Sequence, residues 1–233
     1  MREAVIAGYV RSPFTPAQKG ALAKVRPDEL MAQVVRGLLE RTGTDPAGLE
    51  DMIIGCAFPE GEQGLNVARI VGFLADLPAS VAGTTVNRFC GSSMQAIHIA
   101  VGAIATGAGE AFVCGGVESM SRVPMMGFNP LPHPGLYERA PEVFISMGLT
   151  AENLARKYDI LRETQEAFAL QPGAGAIRDP HERAQEEGLV ECIRDASRQV
   201  EASRCFRAGG VEIGLEQVGA GHDLERFPLL VVE

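Results

Sequence analysis

The 233-residue chain is predicted to be an α/β protein, with helices packed on a mostly parallel sheet, and three features carry that expectation. Short runs of β-branched and small apolar residues alternate with longer stretches whose apolar residues recur every three or four positions. The intervals between the short runs can hold crossover helices, which parallel strands require. Glycine and proline, 27 and 14 of them, punctuate the boundaries.

Ala4 to Val10 reads as a first buried strand, closed by Arg11 to Phe14. Pro27 and Asp28 open a helix with Leu30, Val34, Leu38 and Leu39 on one face, ending near Gly43. Gly43 to Pro46 is a turn, Met52 to Phe58 the second strand, and Pro59 to Gly64 a polar loop. Asn66 to Leu74 is a second helix that turns Val67, Ile70, Val71 and Leu74 to a core. Val81 to Val86 reads as a third buried strand, after which Gly91 and Ser92 turn the chain into a helix bearing Met94, Ile97, Val101 and Ile104. Glu110 to Gly116 is the fourth strand.

Ser121 to Phe144 reads as a long loop, in which Met125, Met126 and Phe128 are either an adaptable binding lining or loose packing over the sheet edge. Thr150 caps a helix through Tyr158, and Glu163 to Leu170 forms another. Glu182 to Phe206 reads as an amphipathic helix with a stripe of Leu189, Ile193, Ala196 and Val200. All three lysines, Lys19, Lys24 and Lys157, precede this tail, a hint of separate origin such as a frameshift, deletion or fusion.

A composition of 46% hydrophobic and 22% charged residues fits a globular protein with a sizeable core. The net charge of −9 argues against nonspecific nucleic-acid binding, which needs clustered Lys and Arg. No uninterrupted apolar window of about 20 residues is present, and the N-terminus lacks a signal-peptide layout, so a soluble, cytoplasmic protein without a membrane partner is expected. Five cysteines without a CxxC pair fit neither a disulfide scaffold nor a zinc site, and no metal is expected.

Functional groups in parallel sheets collect beyond the carboxyl ends of strands, where Cys90 and Glu118 both fall. The start of a helix leaves N–H groups unpaired and carries partial positive charge, which favours a thiolate, the nucleophilic form of cysteine. Gly91 lets a group attached to the sulfur approach, and nearby amides are candidates to hold an oxyanion, so the pattern suggests acyl transfer through a thioester. The plain alternative is a small buried cysteine at a helix start.

The run N-R-F-C-G-S-S-M-Q-A-I from Asn87 to Ile97 resembles the active-site segment of the thiolases, acyl-CoA acyltransferases that make or cleave 3-oxoacyl-CoA. Arg2 to Phe14, Cys114 to Ser121 and Met147 to Ala155 resemble further segments in the family's order, and the resemblance covers roughly residues 1 to 170. It implies a thiolase-like fold, N-terminal half, with residues 1–120 as core, 121–170 as the start of a substrate-covering region, and 171–233 unassigned. By the same resemblance, Cys90 accepts the acyl group and Met147 lies near the acyl chain and pantetheine. Ser146 stands where biosynthetic members have histidine, which leans toward a degradative enzyme. Coenzyme A thioesters such as acetyl-CoA enter as substrates, with no further cofactor. A homodimer or higher homo-oligomer is expected, because uncovered sheet and helix edges would otherwise leave a large apolar patch.

The family draws its base, a histidine in a Gly-His-Pro segment, and a second cysteine from its C-terminal half, and neither motif is found here. His98 is eight residues beyond Cys90, roughly 12 Å along a helix axis, and reads as a core or interface residue. His133 and His181 read as exposed, and His222 is followed by Asp223 where the family has proline. Cys56 and Cys114 read as core residues, while Cys192 and Cys205 lack a glycine-rich successor. Leu161 replaces the family's usual Ser or Thr cap. Thiolysis of 3-ketoacyl-CoA or Claisen condensation through acyl-Cys90 is therefore expected, against the alternative of a truncated or frameshifted noncatalytic chain that binds CoA thioesters or a partner.

Overall fold

A computed structural model describes residues 2–13, 15–170 and 189–195. Its sheet has the order β1-β5-β4-β2-β3, formed by β1 (Ala4–Arg11), β2 (Asp51–Gly55), β3 (Ala82–Val86), β4 (Ala111–Gly116) and β5 (Leu189–Asp195). β2 pairs in parallel with β3 and β4, whereas β5 runs antiparallel between β1 and β4. At 189–195 a strand stands where part of the amphipathic helix is expected, and the rest of that expected helix, 182–188 and 196–206, lies outside the described residues. The strand's apolar residues also include Val190 and Cys192, and the vacant ladder edges of β1 and β4 outweigh a helical stripe.

Helices cover both faces of the sheet, which is why β2 and β4 read as continuous apolar runs. Met52, Ile54 and Val113 face α1 (Pro27–Thr42) and α2 (Val67–Leu74), while Ile53, Phe112 and Cys114 face α3 (Ser92–Thr106). β1 and β3 lie at the edges and are less buried than expected, with Val5, Ile6 and Tyr9 exposed on β1 and Thr84 to Val86 only half-buried on β3.

α1 begins at Pro27 and ends at Gly43, whose φ of +62° is the left-handed conformation that glycine adopts readily. Its buried face is Met31, Ala32, Val35, Leu38 and Leu39, so Leu30 and Val34 sit at the margin. α2 buries Val67, Ala68, Val71 and Gly72 and leaves Leu74 exposed. α3 buries Ser92, Ala96, Ala100 and Ile104, with Val101 turned outward. Phe89–Thr106 has the length and composition of a membrane span, yet this segment is mainly the sheet-covering helix, with Ala96, Ala100 and Ile104 fully buried.

The segment after β4 is not a simple loop. His133 caps α4 (Pro134–Arg139) by accepting the Leu136 N–H at Nδ1, 3.2 Å away, and a 3-10 turn follows over Pro141–Phe144. α5 (Met147–Lys157) starts three residues before Thr150, because Ser146 Oγ accepts the Leu149 N–H at 3.3 Å. α6 (Arg162–Ala169) starts after Leu161 without a side-chain cap, as its sequence predicts. No residue from 128 to 170 is buried.

Candidate active site

Two glycines seat the start of α3 on the sheet. Gly55 and Gly116 are register partners at the carboxyl ends of β2 and β4. A Cβ at Gly55 would lie 2.5 Å from the Ser92 carbonyl carbon and the Ser93 nitrogen, and one at Gly116 would collide with Ser93 Oγ. Hydrogen at both positions therefore lets the helix approach. The ladder continues past the strands, with the Cys56 N–H donating to Val86 O and the Val117 N–H to Gly55 O, each at 3.0 Å.

Between β3 and α3 the chain makes a tight turn. Phe89 has φ +46°, a costly conformation for a bulky residue, worth on the order of 1–3 kcal/mol. It persists because its neighbours fix it: Asn87 Oδ1 accepts the Phe89 N–H at 2.9 Å, and buried Ser92 both accepts the Arg88 N–H at Oγ and donates to Phe89 O. The Phe58 and Phe89 rings pack with centroids 6.1 Å apart. Cys90 follows, exposed, immediately before Gly91, the N-cap of α3.

The conformational demand thus falls on Phe89 rather than Gly91, whose φ is −89°. The Gly91 N–H donates to Arg88 O at 3.1 Å and the Ser92 N–H to Phe89 O at 3.0 Å. These two amides are engaged in the turn, so an oxyanion on a group bound to Cys90 would need other donors.

The Pro59–Gly64 stretch holds the chain that follows β4. Glu62 receives Arg122 through two nitrogens, at 2.8 and 2.5 Å, and Arg26 approaches it at 3.3 Å while also clasping Asp28. The Arg122 hydrogen bond, aided by the two guanidinium charges, holds the Glu62 carboxyl below its ordinary range. Glu60 accepts the Phe128 N–H at 2.7 Å. Fully buried Gln63 accepts the Ser119 N–H and donates to Glu118 and to Phe58 O, at 2.7, 2.6 and 2.9 Å respectively. Glu118 Oε2 also accepts the Ala57 N–H at 2.7 Å. Burial, assisted by the Glu118 charge, pushes the Cys56 thiol up to about 12, so this cysteine is an inert core group.

Cys90 and Glu118 both lie beyond strand ends, as their sequence positions predict. Ser146 is occupied in capping α5, and Met147, 69% exposed, is the first residue of that helix; among the described residues no hydrogen bond ties either to the Cys90 turn. Cys56 and Cys114 are buried, His133 is exposed, and His98 is exposed on α3 rather than in the core. Cys192 is on β5, and His181, Cys205 and His222 lie outside the described residues. No sequence signal marks the side-chain roles of Gln63 and Asn87, because Gln63 meets Glu118 and Ser119, and Asn87 meets Ala57, only across the fold; the Ser92 hydrogen bonds to Arg88 and Phe89 are local.

A family model described as the N-terminal domain of thiolase matches residues 4–190, reaching into β5. The 3-ketoacyl-CoA thiolase of Bacillus subtilis (strain 168) is 49% identical over 178 residues, which are 76% of this chain and 46% of that protein. The 3-ketoacyl-CoA thiolase of Idiomarina loihiensis is 44% identical over 183 residues, covering 78% of this chain and 46% of its own. Among solved structures, a Bacillus anthracis acetyl-CoA acetyltransferase matches with a TM-score of 0.68 and 27% identity, over 85% of this chain and 66% of that one. This chain spans about half the length of the curated relatives it matches. The matching segments, the layered sheet and the turn carrying Cys90 agree with one another: the chain belongs to the thiolase family, whose N-terminal domain it carries.

Proposed function

We propose that this chain contributes the acyl-accepting half of a thiolase site, with Cys90 as nucleophile and a CoA thioester as substrate. The observation that carries the reading is the exposed Cys90, presented by a strained turn at the junction of β3 and α3. In the condensation direction the Cys90 thiolate attacks the carbonyl of an acyl-CoA, the bond from that carbon to the CoA sulfur breaks, and CoA leaves with that electron pair and takes up a proton. In thiolysis the thiolate attacks the 3-keto carbon of a 3-ketoacyl-CoA, the bond from that carbon to the α-carbon breaks, and acetyl-CoA leaves as an enolate that takes up a proton at carbon. Completing either direction requires a base and a second oxyanion site. The family draws these from the half that lies beyond the span matched here. No metal or redox cofactor enters this scheme.

A second reading, a half-site completed by another polypeptide or a noncatalytic chain, is favoured by the surface of residues 128–170. Tyr137, Val143, Met147, Leu149, Tyr158 and Phe168 are all exposed there, more apolar surface than a self-sufficient domain leaves uncovered. Self-association into a dimer or higher oligomer would cover part of it.

The test is incubation with acetyl-CoA or acetoacetyl-CoA, acid quench and intact-mass measurement, alongside Cys90→Ala. An acyl adduct that maps to Cys90 and is absent from the variant supports acyl acceptance, and CoA-dependent turnover would extend the assignment to a complete site. An adduct without turnover supports the half-site reading. Absence of an adduct on folded protein refutes the acyltransferase reading.

A further inference from the structure

We propose that Gln63 and Glu118 act as positioning residues for Cys90, holding Ala57 and Phe58 so that these in turn fix the Asn87–Phe89 turn. The inference rests on Cys90 being the reacting thiol.

Both the oxygen and the nitrogen of the Gln63 amide are engaged. Its carbonyl oxygen accepts the Ser119 N–H, which sets the amide orientation, and its NH₂ group donates to Glu118 Oε1 and Phe58 O. It also points a nitrogen at Cys56 Sγ, 3.4 Å away. Glu118 is exposed on one side, yet each of its carboxylate oxygens has a partner, Gln63 on one and the Ala57 N–H on the other. The pair therefore fixes consecutive residues, Ala57 through Glu118 and Phe58 through Gln63.

Those two residues each touch the turn that presents Cys90. Ala57 O accepts Asn87 Nδ2 at 2.9 Å, and the other end of that Asn87 amide accepts the Phe89 N–H. The Phe58 ring packs against the Phe89 ring. Phe89 is the residue in the left-handed region, so both paths converge where the backbone needs external support. A cap confined to the turn would need only Asn87 Oδ1. The second half of the Asn87 amide is what links the turn to the bracket behind it.

The experiment uses the 233-residue chain with Gln63→Met, Glu118→Gln, Asn87→Ala and Asn87→Asp, the last keeping an acceptor for Phe89 but no donor for Ala57 O. Native-state alkylation of Cys90 by iodoacetamide is timed by mass spectrometry, with each variant's urea-unfolded rate as reference, and thermal unfolding is recorded separately. The expected result is a fall in the native rate of about tenfold or more in every variant, Asn87→Asp included. The Glu118→Gln/Asn87→Ala double variant should lose no more than the worse single variant, because both act through the Ala57 path.

Wild-type rates in folded Gln63→Met and Glu118→Gln overturn the proposal. So do wild-type rates in Asn87→Asp, or losses that multiply in the double variant. Should buried Gln63→Met fail to fold, Glu118→Gln at an exposed position decides the question together with the two Asn87 variants. Acetyl-CoA adduct formation is measured in parallel on the parent chain. If it fails while bracket variants still alter alkylation, the functional reading falls and the positioning role stands.

Discussion

Replacing Gly55 by alanine tests whether α3, and with it Cys90, is seated on the sheet as described. The added methyl carbon would meet the Ser92 carbonyl carbon and Ser93 nitrogen at 2.5 Å and Ser92 Cβ at 2.7 Å. Ordinary carbon contacts lie at about 3.5–4.0 Å, so the first turn of α3 must retreat by about 1 Å. Two of the three obstructing atoms are backbone, and no rotamer change relieves them. Overpacking of this kind costs about 1–3 kcal/mol. Alanine is intrinsically better than glycine in a strand by about 0.5–1 kcal/mol, which leaves a net loss of about 1–2 kcal/mol. Urea unfolding measures that loss. Iodoacetamide labelling of Cys90 measures the displacement of the turn, expected to slow reaction by about tenfold or more. Gly102→Ala is the control: it lies within α3 with no atom inside 4 Å of the new methyl, and should gain about 0.8–1 kcal/mol without affecting Cys90. A Gly55→Ala protein as stable as its parent and equally reactive at Cys90 would refute the seating argument.

Other perturbations probe different parts of the structure. Iodoacetamide at mildly alkaline pH should modify exposed Cys90 and spare Cys56 and Cys114, which are buried; peptide mapping reads the selectivity, and equal labelling of Cys56 would contradict its enclosure. Glu62→Gln should cost no more than about 1 kcal/mol at neutral pH, since the ion pairs are partly solvated. Because the folded Glu62 carboxyl titrates below its unfolded value, its contribution is present above about pH 4.5 and fades on further acidification. Parent and variant unfolding midpoints should therefore converge in acid. Asp51 is the reverse case: burial raises its carboxyl, and its Oδ1 has no hydrogen-bond partner among the described residues. The folded state favours protonated Asp51, an advantage fully present below about pH 3.8 and lost as pH rises through the folded value. Asp51→Asn should accordingly stabilise the chain at pH 7 by about 1 kcal/mol and lose that gain in acid.

The parts legible in the sequence were those governed by local chemistry. Pro27 and Gly43 bracket α1, apolar runs mark β2 and β4, and Cys90 falls between strand and helix. Helix faces were harder, because apolar residues exceed the area available for burial. On α3, the close approach allowed by Gly55 and Gly116 favours small residues at the contact, so Ala96 and Ala100 are buried and Val101 is not. β5 was misread as helix because the partners that define it, β1 and β4, are remote in sequence. In the candidate site, the exposed thiol was foreseeable. Gln63 was not, since nothing in a run of Glu, Gly and Gln distinguishes a solvated amide from one holding Phe58, Glu118 and Ser119.

The place of β5 in the sheet also has a consequence on the ribosome. Among the described residues β1 pairs only with β5, with Ala4 opposite Asp195 and Arg11 opposite Leu189. At about 5–20 residues per second, the first strand emerges roughly ten seconds to half a minute before its partner has been translated. During that interval β2, β3 and β4 can pair with one another, while β1 and the far edge of β4 both lack the strand that will lie between them. The nascent chain thus carries an unpaired β1 until β5 is made, and chaperone binding to residues 4–11 is expected to end when residues 189–195 emerge.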